Sequence, residues 1–408
     1  MYQKRGISIW NLIISLTILY TVMPIVSRFI SIYLTTYFYM IIVVFVFLGT
    51  VFGNREYSFN EYAGGILLPF IFFHGLSFFT RSEPIVLWGY SVLLSLLPVV
   101  VGYYIMNYRT YTVSFFSSVI FLAMVITSIT TCFGLIKFPY ASRILATISS
   151  SQDANAIIYN LYNIGGYDYI YTLVLLYPIF IMAYKQRKIN LLLTIMGTML
   201  IFTVAVLSEY TTALLLLIIS SILFLVKRDL QRKDVLILLF IAVVVVLFCN
   251  DYVSRFISYI GSLTGSETMM ERLNALAGGQ AGLEASESNR IFLYRMSFDT
   301  FLSHPIFGTF LSGGWGLGGH SFILDTLGKY GLIGLVLLFF MYRKIYRNFI
   351  LPFQGMQGYG FVLWTFLQAI LLSCINTGMW LNVIACFMPI LVCKIYGFDS
   401  FLYFSVEE

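Results

Sequence analysis

Long apolar stretches, separated by short polar segments, run along almost the whole chain of 408 residues. A helix needs about 20 mostly apolar residues to cross a hydrocarbon core about 30 Å thick. We therefore expect an all-α polytopic membrane protein with about twelve transmembrane helices, in which residues 1–408 form a single transmembrane domain. The predicted spans are residues 7–26, 33–52, 63–79, 85–105, 112–136, 169–184, 189–207, 212–226, 235–249, 322–342, 359–375 and 381–392.

Two long polar segments interrupt this pattern, at residues 137–168 and 250–321. Loops of this length inside a compact protein usually carry function. The second loop contains a helical pattern at residues 289–302, which Ser288 can cap and which Pro305 and Gly308 end. Its apolar positions predict an amphipathic helix at the membrane interface: Ile291, Phe292, Tyr294, Phe298, Phe301 and Leu302.

Positive charge decides the predicted orientation. The net charge is +6, but Lys and Arg lie in short clusters between apolar stretches, as the positive-inside rule requires, so we expect no nucleic-acid partner. With the N-terminus in the cytoplasm, 15 of the 24 Lys and Arg fall on the cytoplasmic side. This orientation puts both termini in the cytoplasm and both long loops outside. The start Lys4-Arg5 precedes an apolar stretch without a small-x-small cleavage site, which predicts a retained first helix.

Composition excludes a soluble domain and several classes of site. The chain is 60% hydrophobic and 10% charged, with a mean hydropathy of +0.89. Its five cysteines show no CxxC spacing, so neither a zinc site nor a disulfide framework is predicted. No Asp-x-Asp, GxSxG, HExxH or P-loop motif occurs. We expect no metal and no cofactor, and an enzyme of this sequence must work with Arg, His and backbone dipoles.

Two arginines of the second loop have different expected roles. Arg295 has Asp299 four residues on, the spacing of a helical ion pair, so a structural bridge is predicted. Arg290 has only Glu287, three residues back and before the predicted helix start, and it lies in the first turn of the predicted helix, where exposed amides favour an anion. Arg290 is therefore the candidate for phosphate binding.

The three histidines also separate. Histidine is the side chain whose unperturbed pKa, about 6.5, suits proton transfer near neutrality. His74 stands in the middle of a predicted helix and is expected to be structural, and His304, before Pro305, is expected to be solvated or to cap a helix. His320 follows six glycines in twelve residues where the chain re-enters the membrane, and a functional role is predicted.

Glycines surround His320 on both sides. Those before it can bring backbone amides close to a ligand, as phosphate and oxyanion sites often need. Gly328, Gly331 and Gly334 recur every third residue in the next helix, which predicts close helix packing. Asp325 and Lys329, four residues apart in that helix, can neutralise one another.

The end of the second loop resembles a known family. His320-Ser321, then nine residues, then Gly331-Leu-Ile-Gly334 is similar to the signature of O-antigen polymerases and ligases. Ser288-Asn-Arg290 followed by His304-Pro305-Ile-Phe-Gly308 resembles the family stretch that leads from a loop arginine to a Pro-x-x-Gly turn. Arg143 followed by Asp153-Ala-Asn155 resembles a third family element in the first loop.

The resemblance implies a substrate and roles for these residues. The substrate is expected to be an undecaprenyl-pyrophosphate-linked oligosaccharide, processed without metal by an inverting enzyme similar to C-type glycosyltransferases. His320 is expected to take the proton of the acceptor hydroxyl, and Arg290 to counter the charge of the departing pyrophosphate. Ser321, Gly331 and Gly334 are expected to support the motif.

The chain departs from the family at two positions. Ligases and many relatives carry Ser-Arg at the outer turn after the seventh helix, whereas this turn reads Ser208-Glu209-Tyr210. Arg143 or Arg255 is expected to replace the missing pyrophosphate-binding arginine. Ser321 stands where ligases usually have Asn.

Both departures favour an O-antigen polymerase in the bacterial inner membrane, with a chain-length regulator protein as a possible partner. The alternatives are an O-antigen ligase that transfers the polymer to lipid A core, and a flippase or transporter of lipid-linked oligosaccharide.

Overall fold

The computed structural model describes residues 9–20, 22–33, 36–52, 67–79, 84–107, 111–139, 141–147, 154–224, 232–248, 281–310 and 316–397. Within these ranges the regular structure is helical, as the apolar pattern predicts. The α-helices are α1 Ile9–Tyr20, α2 Pro24–Tyr33, α3 Thr36–Phe52, α4 Leu68–Phe79, α5 Ile85–Asn107, α6 Tyr111–Lys137, α7 Ala141–Thr147, α8 Ala154–Leu161, α9 Tyr167–Lys185, α10 Leu191–Leu207, α11 Thr211–Ser221, α12 Arg232–Phe248, α13 Ala281–Ser303, α14 Phe322–Ile345, α15 Tyr359–Ile375 and α16 Met388–Tyr396.

Apolar helices long enough to cross a membrane confirm a membrane-integral protein. In the described ranges four helical segments qualify, and a fifth does if the bent pair α1 and α2 counts as one span. Six shorter apolar helices of 10–17 residues coincide with other predicted spans. The count of twelve therefore stays a prediction. The four qualifying segments are Ile85–Ile105, Val113–Lys137, Tyr167–Lys185 and Phe322–Phe353.

Contacts between helix ends, and between the segments that connect the helices, define two ends of the bundle. At the first end, called here the basic end, Gln186 Nε2 donates to Gln357 O at 2.6 Å, and Lys394 Nζ donates to Ser114 Oγ at 2.7 Å. At the opposite end, called the loop end, Tyr210 Oη donates to Ser142 O at 2.9 Å. Seven of the described basic residues that were predicted to share one side lie near the basic end: Lys185, Arg187, Lys188, Arg343, Lys344, Arg347 and Lys394.

α9 is the central helix of the bundle, because 78% of its apolar window is buried against 33–39% for the other three long spans. Its buried Tyr169 hydroxyl donates to Met124 O and shares a hydrogen bond of 2.7 Å with Ser128 Oγ on α6. On α15, which packs on α9, buried Gln368 Nε2 donates to Ser220 Oγ of α11 at 2.6 Å. Polar side chains thus join the helices where lipid offers no partner.

The first long loop folds into α7 and α8 and returns to the bundle through Asn163. This buried residue adopts φ +52°, and its Oδ1 accepts the N–H of Ile25 at 3.1 Å. Its Nδ2 donates to Thr127 Oγ1 and Thr130 Oγ1, both at 3.0 Å. One amide therefore fastens the loop both to α6 and to the start of α2.

α14 is broken at Gly331, which has φ +62° and ψ −154°. The turn at residues 304–309 fills the break. Leu332 N donates to Pro305 O at 2.8 Å, and Thr309 N donates to Gly328 O at 3.1 Å. The freed backbone groups on both sides of the break are thus paired with the preceding turn, as an apolar environment demands.

Two glycines make this joint possible. A Cβ on Gly331 would overlap the carbonyl oxygen of Ile306, and a Cβ on Gly308, which has φ +61°, would overlap the backbone of Lys329. Gly331 therefore does pack closely, but against the turn at residues 304–309 and at a break in the helix, and Gly328 packs closely against the backbone of Ser297. The Pro-x-x-Gly turn at residues 304–309 and the glycine motif therefore pack together at the break in α14. This packing is called the joint below.

We expect Gly331→Ala to lower the free energy of unfolding by about 2–4 kcal/mol, because the new Cβ adds a strained φ and a backbone overlap. The measurement is the midpoint of an SDS titration in detergent micelles. The control is Gly89→Ala on α5, where a Cβ meets nothing within 4 Å. A Gly331→Ala protein as stable as the wild type contradicts the joint.

Candidate functional site

His320 lies in a turn at the loop end, directly before α14. Ser321 caps the helix, because its extended backbone brings Oγ to accept the N–H of Leu324 at 3.1 Å. The cap buries Ser321 to 1% exposure, whereas the side chain of His320 is exposed. Among the described residues His320 has no hydrogen-bond partner, so its imidazole faces outward from a fixed backbone.

Asp325, in the first turn of α14, holds this turn together. Its Oδ1 accepts Ser297 Oγ at 2.5 Å and Gly319 N at 3.2 Å, and its Oδ2 accepts Ser321 N at 3.2 Å. Ser297 Oγ in turn accepts Gly318 N at 2.8 Å. The amides of Gly318 and Gly319, two of the glycines that were expected to face a phosphate, are therefore paired within the chain.

The expected pairing of Asp325 with Lys329 is also absent from the described part. Lys329 Nζ instead lies 5.3 Å from the centroid of the Tyr330 ring. The spacing of Ser321 and Asp325, an N-cap followed by an acid four residues on, is the signal that sequence reasoning missed. No motif or spacing in the sequence predicts that Ser297 contacts this turn.

The glycine run before His320 lets the chain lie directly on α13. A Cβ on Gly318 would overlap the carbonyl oxygen of Leu293. Gly316 adopts φ +82°, and its carbonyl accepts Thr300 Oγ1 at 2.5 Å. Gly316 and Gly318 thus serve close approach of the backbone to a helix.

α13 begins at Ala281, eight residues before the predicted start. Arg290 therefore lies in the middle of the helix, and the expectation that a helix N-terminus assists it is wrong. Alanine, leucine and glutamate in the preceding segment favour helix and carry it past Ser288. The predicted bridge of Arg295 is confirmed, with Nε 3.6 Å from Asp299 Oδ2 and both side chains exposed.

The described part of α13 exposes both apolar and charged side chains. Ser297 is 1% exposed, whereas Phe292, Phe298 and Leu302 are exposed. Arg295 and Asp299 are exposed as well. The amphipathic helix at the membrane interface therefore stays a prediction.

The link between α15 and the following helix, residues 376–380, connects the His320 turn to an aromatic cluster. Asn376 O accepts Phe322 N at 2.9 Å. Trp380, at the other end of the link, lies with its ring centroid 5.9 Å from Tyr167 and 5.5 Å from Tyr171. The start of α9 and the start of α14 thus share one end of the bundle.

The turn after α10 joins the same cluster. The Tyr210 ring lies 5.6 Å from Tyr167, and the Tyr210 hydroxyl donates to the carbonyl of Ser142. Arg143 follows Ser142 on α7. The turn that lacks the family arginine, at buried Glu209, is therefore hydrogen-bonded to the residue next to Arg143.

The remaining sequence candidates lie as follows. Arg255 is outside the described residues. Gly334 lies on α14 beyond the break. His74 is buried on α4, with Nε2 2.9 Å from Ser95 Oγ, which agrees with a structural role. His304 follows α13 and is exposed. In the searched, described residues no group of three His, Cys, Asp or Glu has a metal-binding arrangement.

Residues 196–339 match the family model described as O-antigen ligase. This segment, about a third of the chain, is similar to an O-antigen ligase domain. The match covers 144 of the 408 residues, including α13, the His320 turn and the break at Gly331. Comparisons with curated proteins and with solved structures found no match. The domain supports a role in the assembly of O-antigen or a related surface polysaccharide, in a class of membrane glycosyltransferase-like enzymes.

The cap at Ser321 gives a direct test of this turn. Ser and Asn are equally good N-cap residues, so we expect Ser321→Asn to keep the wild-type stability within about 0.5 kcal/mol, and Ser321→Ala to lose about 1 kcal/mol. The SDS midpoint of the purified protein measures both. Equal loss in the two variants would mean that the hydroxyl does more than cap α14.

Proposed function

We propose that this protein is an O-antigen polymerase, which joins undecaprenyl-pyrophosphate-linked oligosaccharide units at the periplasmic face and releases undecaprenyl pyrophosphate. The observation that carries the proposal is His320: an exposed imidazole on a fixed turn, inside the segment that matches the O-antigen ligase family model and at the loop end of the bundle. No cofactor or metal is part of the proposal.

His320 acts as the general base. The acceptor sugar hydroxyl attacks the anomeric carbon of the donor sugar, and its proton passes to the neutral imidazole. The bond between that carbon and the pyrophosphate oxygen breaks, and the lipid pyrophosphate leaves with the electron pair. Cleavage of this activated bond drives the reaction, since no nucleotide is available outside the cytoplasm.

Arginines counter the charge of the departing pyrophosphate. A guanidinium offers two parallel donors to phosphate oxygens, which suits Arg290 on α13. Arg143 is the better candidate for the second arginine, because Tyr210 ties the turn that lacks the family arginine to Ser142. Arg255 is the alternative candidate for this second arginine. The exposed aromatic side chains of α13 suit contact with the lipid tail of the substrate.

Of the two positions at which the chain departs from the family, Glu209 and Ser321, only one distinguishes a polymerase from a ligase. Because Ser321 caps α14 and Asn caps equally well, the exchange of Asn for Ser does not distinguish the two activities. Glu209, in place of the family arginine, still favours the polymerase. A ligase that transfers the polymer to lipid A core is the second candidate, and a chain-length regulator is a partner only of the first.

We expect a deletion strain to keep lipopolysaccharide with one repeat unit and to lose the ladder of longer chains, because a polymerase extends but does not attach. Gel electrophoresis of extracted lipopolysaccharide measures this. Lipopolysaccharide without any repeat unit would indicate the ligase. If the purified protein transfers no saccharide between lipid-linked units, the result would instead favour a transporter of lipid-linked oligosaccharide.

We expect His320→Ala and Arg290→Ala each to lower chain growth by at least about 100-fold, since each removes a transition-state interaction, and Arg143→Ala to act in the same direction. The measurement is transfer by the purified protein in nanodiscs, at equal protein amount. Arg295→Ala is the matched control, because its exposed guanidinium already pairs with Asp299. Full-length chains from a variant exclude that residue from the site.

A further inference from the structure

We propose that Asp325 is the residue that positions His320 for the reaction; this inference rests on the proposed function. Asp325 does not reach the substrate itself in this scheme. It acts by holding the backbone on both sides of the histidine, together with Ser297 of α13.

The first observation is that the carboxylate binds the two residues that flank His320. Gly319 N donates to Oδ1 and Ser321 N donates to Oδ2, both at 3.2 Å. One side chain thus fixes the amide before the histidine and the amide after it. A neutral amide side chain has a single oxygen acceptor and cannot hold both contacts in the same geometry.

The second observation is that the bonding is reciprocal around the start of α14. Ser321 Oγ caps Leu324 N, and Asp325 accepts Ser321 N. This is the logic of a capping box, with the acid one position later than usual. It fixes where the helix begins, and therefore the point from which His320 projects.

The third observation is the link to α13. Ser297, which is 1% exposed, donates to Asp325 Oδ1 and accepts Gly318 N. Arg290 precedes Ser297 by seven residues, two turns away along the same helix. The Ser297–Asp325 pair therefore ties the helix that carries Arg290 to the turn that carries His320.

Asp325 has no competing ion pair in the described part of the chain. The salt bridge found there joins Arg295 and Asp299, and Lys329, one helical turn after Asp325, lies against Tyr330. The carboxylate is thus occupied by the turn and not by a surface cation.

The test reads His320 directly, without relying on activity. The chain has three histidines, so protein labelled with ¹³C at histidine Cε1 gives three resonances in nanodiscs, and His320→Gln identifies one of them. We expect Asp325→Ala to move the His320 resonance and to leave those of His74 and His304 in place. Asp299→Asn, which changes an acid of α13 outside the turn, is the matched control and moves none of the three. An unmoved His320 resonance in Asp325→Ala overturns the proposal.

A second variant covers the case in which Asp325→Ala disturbs the whole fold and moves all three resonances. Ser297→Ala removes one donor from the carboxylate and one acceptor from Gly318. It must then move the His320 resonance alone, with Ser303→Ala at the exposed end of α13 as its control. If Ser297→Ala leaves that resonance unmoved, the proposal fails.

Kinetics give the second readout. We expect kcat of Asp325→Ala to fall about 10–100-fold with KM within about threefold, because misplacing a catalytic group weakens transition-state interactions and spares substrate binding. A loss confined to KM, or wild-type kcat, contradicts the proposal. A wild-type protein that transfers no saccharide defeats the proposed function alone, since the resonances still report whether Asp325 holds His320.

Discussion

Backbone groups that leave a helix in or beside lipid must find partners within the protein, and the region around His320 is built on that constraint. Where α14 breaks at Gly331, the preceding turn supplies a carbonyl and an amide. Where the chain enters α14, Asp325 and Ser297 accept the amides of three residues around His320.

The sequence predicted the elements well where a single residue or a strong period carried the signal. The apolar pattern indicated helices, and the spacing of Arg295 and Asp299 predicted their ion pair. The role of His320 stays a prediction. The sequence-based predictions failed where the role of a residue depends on a contact with a residue far away in the chain. The spacing of Gly331 looked like helix packing, because its partner turn at residues 304–309 lies more than twenty residues earlier in the chain.

The same limit explains the remaining errors at the site. Serine is a common residue at a helix start, which is why the sequence predicted one at Ser288. The residues around it favour helix, so α13 continues through Ser288 and Arg290 lies away from the helix N-terminus. Gly316 and Gly318, before His320, lie against the hydroxyl of Thr300 and the backbone of Leu293, contacts that the sequence does not indicate. Ser297 carried no sequence signal, since a lone serine in a helix gains meaning only when Asp325 is brought beside it.

The joint at Gly331 bears on which changes the chain tolerates. Its hydrogen bonds run between main-chain atoms, so they do not depend on the side chains of Ile306 and Phe307, which are 57% and 50% exposed. What the joint needs is the absence of a Cβ at Gly308 and Gly331. Exchange of these two apolar side chains therefore leaves the connection between the loop and the helix in place.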